Sequence, residues 1–305
     1  MAIIDDIRRT YKQSSMLMRI IFINIGVFLC LRVLAIIAFF FNTSAPLWVQ
    51  WVELPSDLGL LLRRPWTLVT YMFAHYEILH ILFNMLWLYW LGRIFMEYFS
   101  SKQLMGVYLL GGWAGAVIYL LAYNLLPQLG GTNAFLIGAS ASVFAVIVAA
   151  AVYAPDYKIG LLFFGEVALK WVVIVVIGLE LVMTPNVESF GGSIPHLGGA
   201  LMGALFAMRI KQGRDITRPL NAAIDAVVSL FGGRSITWPK FGGSRAQTPN
   251  QRGEQEEARA SHRPADTVSE EELDGILAKI KVAGYDALTD EERDKLFKAS
   301  RRRTS

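Results

Sequence analysis

Residues 78–99 read ILHILFNMLWLYWLGRIFMEYF, 22 positions in which His80, Asn84, Arg93 and Glu97 are the strongly polar members. About 20 apolar residues, rising 1.5 Å each in a helix, cross the ~30 Å hydrocarbon core of a bilayer. This stretch is long enough to do so. His80 and Asn84 stand four apart, so they share one helical face near its outer end. Ionisable and amide groups are costly in hydrocarbon, which makes them functional candidates by default.

Five further apolar blocks lie on either side, at 18–41, 104–124, 136–153, 167–184 and 194–210. Together they predict an all-α membrane protein with a bundle of six transmembrane helices. The composition agrees, at 54% hydrophobic and 18% charged residues with a mean hydropathy of +0.42. Charge divides the chain in two. Residues 1–210 hold 12 Lys/Arg and 10 Asp/Glu, whereas residues 211–305 hold 17 and 15. The first part suits lipid and the second suits water.

Orientation follows from basic residues beside the spans. Arg8, Arg9, Lys12, Arg19, Arg93, Lys102, Lys158, Arg209 and Lys211 fall on one side, against Arg63 and Arg64 on the other. Both termini are therefore expected in the cytoplasm, and residues 1–17 form a cytoplasmic N-terminal segment. Met1–Arg19 carries both signs and leads into a run too long for a signal peptide, so no cleavable signal is expected. The 42–77 loop combines Trp48, Trp51 and Trp66 with Pro46, Pro55 and Pro65, a mixture suited to the membrane interface. Arg32, inside the first span, is expected to snorkel or to find a partner.

Beyond the spans, residues 211–231 place Leu220, Ile224, Val227, Val228 and Phe231 on one face of an amphipathic helix, either interfacial or docked. Residues 232–266, rich in Gly, Arg, Gln, Pro and Glu, read as a disordered linker. Within 267–305, Ser269 with Glu272 and Thr289 with Glu292 make two capping boxes, and Gly284 is placed to stop the first helix. A small cytoplasmic helical hairpin is expected, docked onto a partner that the sequence does not name. Cys30 is the one cysteine, so no intrachain disulfide or thiolate metal cluster can form. The net charge of +4 is spread beside spans and in the tail, which gives no reason to expect nucleic-acid binding.

Ser140 and Ser142 open the fourth span, His196 opens the sixth, and His80 and Asn84 lie near the outer end of the second. All of these spans start from the same side of the membrane. A hydroxyl, two imidazoles and a carboxamide thus converge at one depth. Gly199 and Gly203 follow on the face of His196, and Gly138, Ala141 and Ala145 flank Ser140; small residues let helix backbones approach closely. Ser140 could then give its proton to His196, while His80, Asn84 and the Ser140 amide aim donors at a developing oxyanion. Blander readings stand beside this one. Membrane serines commonly bond back to their own i−4 carbonyl, membrane histidines bridge helices, and His75, His80 and His196 could in principle share a metal. No carboxylate pattern supports the metal, and Glu77, the nearest acid in that reading, falls in the loop end. No metal or other cofactor is expected.

Three motifs then carry a resemblance to the rhomboid family of intramembrane serine proteases, over residues 18–210. His75-Tyr-Glu-Ile-Leu-His80-Ile-Leu-Phe-Asn84 resembles the family's second-span signature. Gly138-Ala-Ser140-Ala resembles its Gly-x-Ser-Gly nucleophile motif, and His196-Leu-Gly-Gly199-Ala-Leu-Met-Gly203 its sixth-span motif. The resemblance implies a six-helix bundle around a water-filled cavity and a Ser140–His196 dyad that cleaves transmembrane protein substrates in the bilayer. His80, Asn84 and the Ser140 amide would form the oxyanion site, with Gly138 keeping the approach open. Phe144 would pack on the catalytic imidazole, His75 and Ala141 would lie by the site, the 184–195 loop would cap it, and span five would gate it. Two departures stand out: Ala141 replaces the usual glycine, and Trp66-Thr67 replaces Trp-Arg. The tail resembles appendages of some bacterial members, so the expected location is the bacterial cytoplasmic (inner) membrane. The competing expectation is a catalytically silent relative that binds transmembrane helices as a scaffold.

Overall fold

The computed structural model describes residues 9–11, 13–41, 49–129, 133–161, 165–182 and 187–230, and within 272–296 positions 272, 275–276, 278–280, 288–289, 291–293 and 295–296. The chain forms two units, Met1–Gly243 and Ser244–Ser305. The first is mostly helical. In chain order it contains α1 (Met16–Phe40), β1 (Leu54–Pro55), α2 (Leu58–Arg63), α3 (Thr67–Thr70) and a 3₁₀ turn (Tyr71–Phe73). Then come α4 (Ile78–Tyr98), α5 (Ser101–Leu125), β2 (Phe135–Leu136) and α6 (Ser140–Tyr153). β3 (Lys158–Leu161), β4 (Gly165–Ala168), α7 (Leu169–Val182), α8 (Val187–Lys211) and α9 (Arg218–Leu230) complete it.

Among the described residues, α1, α4 and α5 are long and apolar enough to cross a membrane. The best window of α1 has a mean hydropathy of 2.7, yet only 17% of it is buried within the protein. A helix apolar on every side and bare of protein neighbours is solvated by lipid tails. Ser15 caps its first turn. Arg32, in its C-terminal half, donates to the Tyr76 carbonyl and lies over the Phe28 and Tyr76 rings, at 5.3 and 5.0 Å. The expected partner is therefore a carbonyl and two ring faces.

The segment between α1 and α4 is held by an aromatic stack. Trp51 and Trp66 lie parallel at 5.8 Å, with Arg64 4.7 Å over Trp51 and the Trp66 indole donating to the Trp51 carbonyl. Thr67, where the resemblance led one to look for arginine, is buried and donates to the Arg64 carbonyl at 2.7 Å. The loop keeps a guanidinium anchor three residues earlier. Trp48 and Pro46 lie outside the described residues.

The bundle centres on α6, buried along nearly its whole length and packed between α5 and α8. Two alanines of α6 meet glycines on both sides. A methyl built on Gly111 or Gly115 of α5 would come within 2.2 Å of Ala145 Cβ or 2.6 Å of Ala141 Cβ. One built on Gly199 or Gly203 of α8 would come within 2.0 Å of the Ala141 carbonyl oxygen or 2.2 Å of that of Ala145. Backbones this close leave no room for side chains, and in lipid such van der Waals contact is a main source of helix association.

Several boundaries differ from the sequence expectations. The fold is not purely helical, since β1 pairs with β2 and β3 with β4, both antiparallel. The fourth block was expected from 136, but Phe135–Leu136 pair with Leu54–Pro55, so the helix starts at Ser140. The fifth was expected from 167, where β4 still runs. The sixth was expected from 194, and the 184–195 segment as a loop; α8 instead starts at Val187 and carries Pro195 inside it. Proline removes one helical hydrogen bond and commonly ends a helix; here the helix continues on both sides of it.

α9 docks by its polar side. Thr217 and Asn221 are buried, Thr217 presses on Gly106 of α5, and Lys102 pairs with Asp225 at 2.5 Å. Of the expected apolar face, Leu220, Ile224 and Val228 are half-buried and Val227 is exposed. Phe231 and the 232–266 linker lie outside the described residues, as do Ser269 and Gly284. In the second unit the Thr289–Glu292 capping box is formed, and Lys279–Glu292 and Lys295–Glu272 are ion pairs.

The glycine contacts generate a direct test. Gly199→Ala should cost the purified chain about 1–3 kcal/mol or more of unfolding free energy in a detergent titration. Gly178→Ala on α7, where a methyl meets nothing within 4 Å, should leave the midpoint unchanged. Equal midpoints for the two variants would remove the α6–α8 contact as the organising one.

Candidate active site

Ser140 stands at the first position of α6, where helix N–H groups point out of the helix end and the macrodipole favours negative charge. The turn before it is bolted to the segment between α1 and α4. Gly138 N–H donates to the Tyr71 carbonyl at 3.0 Å, and Ala139 N–H to His75 Nε2 at 3.3 Å. Tyr71 in turn donates its hydroxyl to the Gly112 carbonyl of α5 at 2.5 Å. Ser56 bonds Ala134 in both directions next to the β1–β2 pair.

Gly138 has φ +126°, a conformation side chains rarely adopt. A methyl there would also lie 2.7 Å from His80 Cε1. The glycine thus makes the turn and gives the His80 ring its place. His80 stands edge-on to His75, centroids 5.1 Å apart.

The α8 histidine meets the serine. His196 Nε2 lies 2.6 Å from Ser140 Oγ. Phe144, one turn after Ser140, stacks flat on the imidazole, with centroids 4.9 Å apart and planes 3° from parallel. His196 Nδ1 lies 2.7 Å from Glu180 Oε1 of α7, which also accepts from Ser193 Oγ at 2.9 Å. A cavity of about 310 Å³ opens on this group, lined among others by Ser140, His196, His80, Asn84, Phe144 and Glu180.

Other expected residues fall differently. Ser142 Oγ is buried, points at Gly112 of α5 and makes no hydrogen bond among the described residues. Asn84 lines the cavity, but one of its amide hydrogens goes to the His80 carbonyl at 2.9 Å. His75 is buried behind the site, where its accepting Nε2 is unprotonated and orients the turn. The Ala141 methyl, expected beside the oxyanion site, points instead at Gly115.

Glu180 is the residue that sequence reasoning passed over, taking Glu77 as the nearest acid. Its signal was present: a carboxylate inside an apolar helix of 14 residues, Leu169–Val182. The rule that singled out the histidines applies to it equally.

Residues 62–212 match the family model described as the Rhomboid domain. RHOMBOID-like protein 12, mitochondrial, of Arabidopsis thaliana is 33% identical over 159 residues, which are 48% of this chain and 47% of that protein. The chain spans about half the length of this curated relative. With the apolar helices, the serine and histidine motifs and the match across the same residues, the chain is an integral membrane protein that belongs to the rhomboid family.

Proposed function

We propose that this chain is an intramembrane serine endopeptidase that cleaves transmembrane protein substrates, with Ser140 as nucleophile and His196 as general base. The observation that carries this reading is the 2.6 Å hydrogen bond between Ser140 Oγ and His196 Nε2 on the cavity wall. A serine hydroxyl is a weak nucleophile until a base takes its proton. His196 Nε2 accepts that proton as Oγ attacks the scissile carbonyl carbon. The carbonyl oxygen becomes an oxyanion, for which the Ser140 amide at the α6 N-terminus, His80 and the second amide hydrogen of Asn84 are the donors. His196 then gives the proton to the leaving amine as the peptide bond breaks. A water, deprotonated by the same nitrogen, hydrolyses the acyl ester and restores Ser140.

We read residues 18–210 as a six-span bundle with α1, α4, α5, α6, α7 and α8 in the membrane and both termini cytoplasmic. At 14 residues α6 is about 21 Å long, shorter than the ~30 Å core. Its Ser140 end therefore stops inside the hydrocarbon zone, where irregular backbone is tolerated only if buried or lining a cavity. The turn at 137–139 meets that condition. We keep the bacterial cytoplasmic membrane as the compartment, on the strength of the C-terminal appendage. Residues 1–17, the amphipathic 211–231 helix, the 232–266 linker and a 267–305 hairpin with an unnamed partner complete the proposed organisation.

Labelling of the purified chain with a fluorophosphonate probe tests the nucleophile. Wild type and Ser142→Ala should label, and Ser140→Ala should not. A folded wild type that does not label would favour the silent scaffold, and loss only with Ser142→Ala would transfer the role to that serine. Gly138→Ala tests the oxyanion arrangement, because it strains the turn and displaces His80. Its labelling rate should fall on the order of 10²-fold, the usual effect of losing one such donor. An unchanged rate would take His80 out of the site.

A further inference from the structure

We propose that Glu180 is a positioning residue that converts the Ser140–His196 pair into a triad by fixing the proton of His196. The inference rests on the peptidase reading above. Its starting point is the pair of bonds at opposite nitrogens of one ring: Nδ1 to Glu180 Oε1 at 2.7 Å, and Nε2 to Ser140 Oγ at 2.6 Å.

An ionised carboxylate has no hydrogen to give, so the bond at Nδ1 requires the hydrogen to sit on Nδ1. Nε2 is then left with its lone pair, facing the serine hydroxyl. The opposite tautomer would put a hydrogen on Nε2 and leave it unable to take the Ser140 proton. During attack the proton passes from Oγ to Nε2, and the ring becomes an imidazolium that keeps its Nδ1 hydrogen. Glu180 stays unprotonated throughout and stabilises that cation.

Two further contacts hold this arrangement. Ser193, three residues before His196 on α8, donates to the same carboxylate oxygen at 2.9 Å. Phe144 lies flat on the ring at 4.9 Å and blocks the flip that would exchange the two nitrogens. The cost side is also informative. Glu180 is the one charged residue between Trp171 and Val182, and its helix shows Trp171, Ile174, Val175, Leu179 and Val182 to the outside. An acid kept on such a helix must be paired, and here the pairing is with the base itself.

The competing explanation is a plain tie between α7 and α8. The two separate cleanly in Glu180→Gln. A glutamine can still bridge Ser193 and His196, but its amide can donate to Nδ1 and so favours the wrong tautomer. The experiment compares the full chain in detergent with E180Q, E180A and E180D, measuring saturation kinetics of fluorophosphonate labelling at Ser140 and the thermal midpoint of each. The expected result is a fall in kinact on the order of 10²–10⁴ for E180Q. KI should stay within about threefold and the midpoint unchanged, with E180D recovering at least about tenfold over E180Q. E180Q labelling at the wild-type rate would overturn the inference and leave the peptidase reading standing. So would E180D no faster than E180Q, or losses that simply follow the thermal midpoints. A wild type that does not label removes the peptidase reading itself, a different outcome.

Discussion

The close approach of three helix backbones at Ala141 and Ala145 is the constraint on which this molecule depends. Gly111 and Gly115 press from α5, and Gly199 and Gly203 from α8. In lipid there is no hydrophobic force to draw helices together, because the surroundings are as apolar as the side chains. Association must come from contact area and from hydrogen bonds, and glycine maximises the first. The same contact also sets the chemistry. Ser140 is the neighbour of Ala141, and His196 lies one turn before Gly199. Fixing the α6–α8 distance at those positions fixes the distance from hydroxyl to imidazole.

Polar groups supply the second source of order. Asn24 of α1 donates to the Tyr108 hydroxyl, which donates to the Met72 carbonyl at 2.8 Å. Tyr71 bonds Gly112, and its own carbonyl takes the Gly138 amide. A chain of bonds thus runs from the first helix through the 3₁₀ turn to the turn before Ser140. Each group would be expensive to leave unpaired in a dry interior. The network therefore transmits rigidity to the Ser140 turn from elements that do not line the cavity.

Long apolar blocks bounded by charge made α1, α4 and α5 legible to within a few residues, since bilayer thickness and helix rise leave little freedom. The meeting of Ser140 with His196 followed from residues at matching depth, and Phe144 on the ring from the family resemblance. What escaped was non-local. The start of α6 depends on pairing between residues about 80 positions apart, and no window around 136 contains that information. The 184–195 segment was expected as a loop, but α8 starts at Val187 and runs through Pro195. Gly111 and Gly115 have the spacing of a packing motif, yet their importance appears only when the facing alanines are known. Glu180 was hidden differently: an apolar run is read for what makes it apolar, and its single acid was passed over.

Ala141 shows what such packing means for sequence change. Its methyl occupies the slot against Gly115, with Gly199 on the far side of the same backbone. The position after Ser140 therefore behaves as a shim whose thickness is shared with the facing residue of α5. A glycine here would relieve only part of the crowding on an alanine at 115, whose methyl would still come within 2.9 Å of the Pro195 carbonyl oxygen, whereas alanine at both would add the clash with the 141 methyl. Substitution at this site is therefore constrained in pairs: the residue that fits at 141 is decided by a helix that lends no side chain to the cavity.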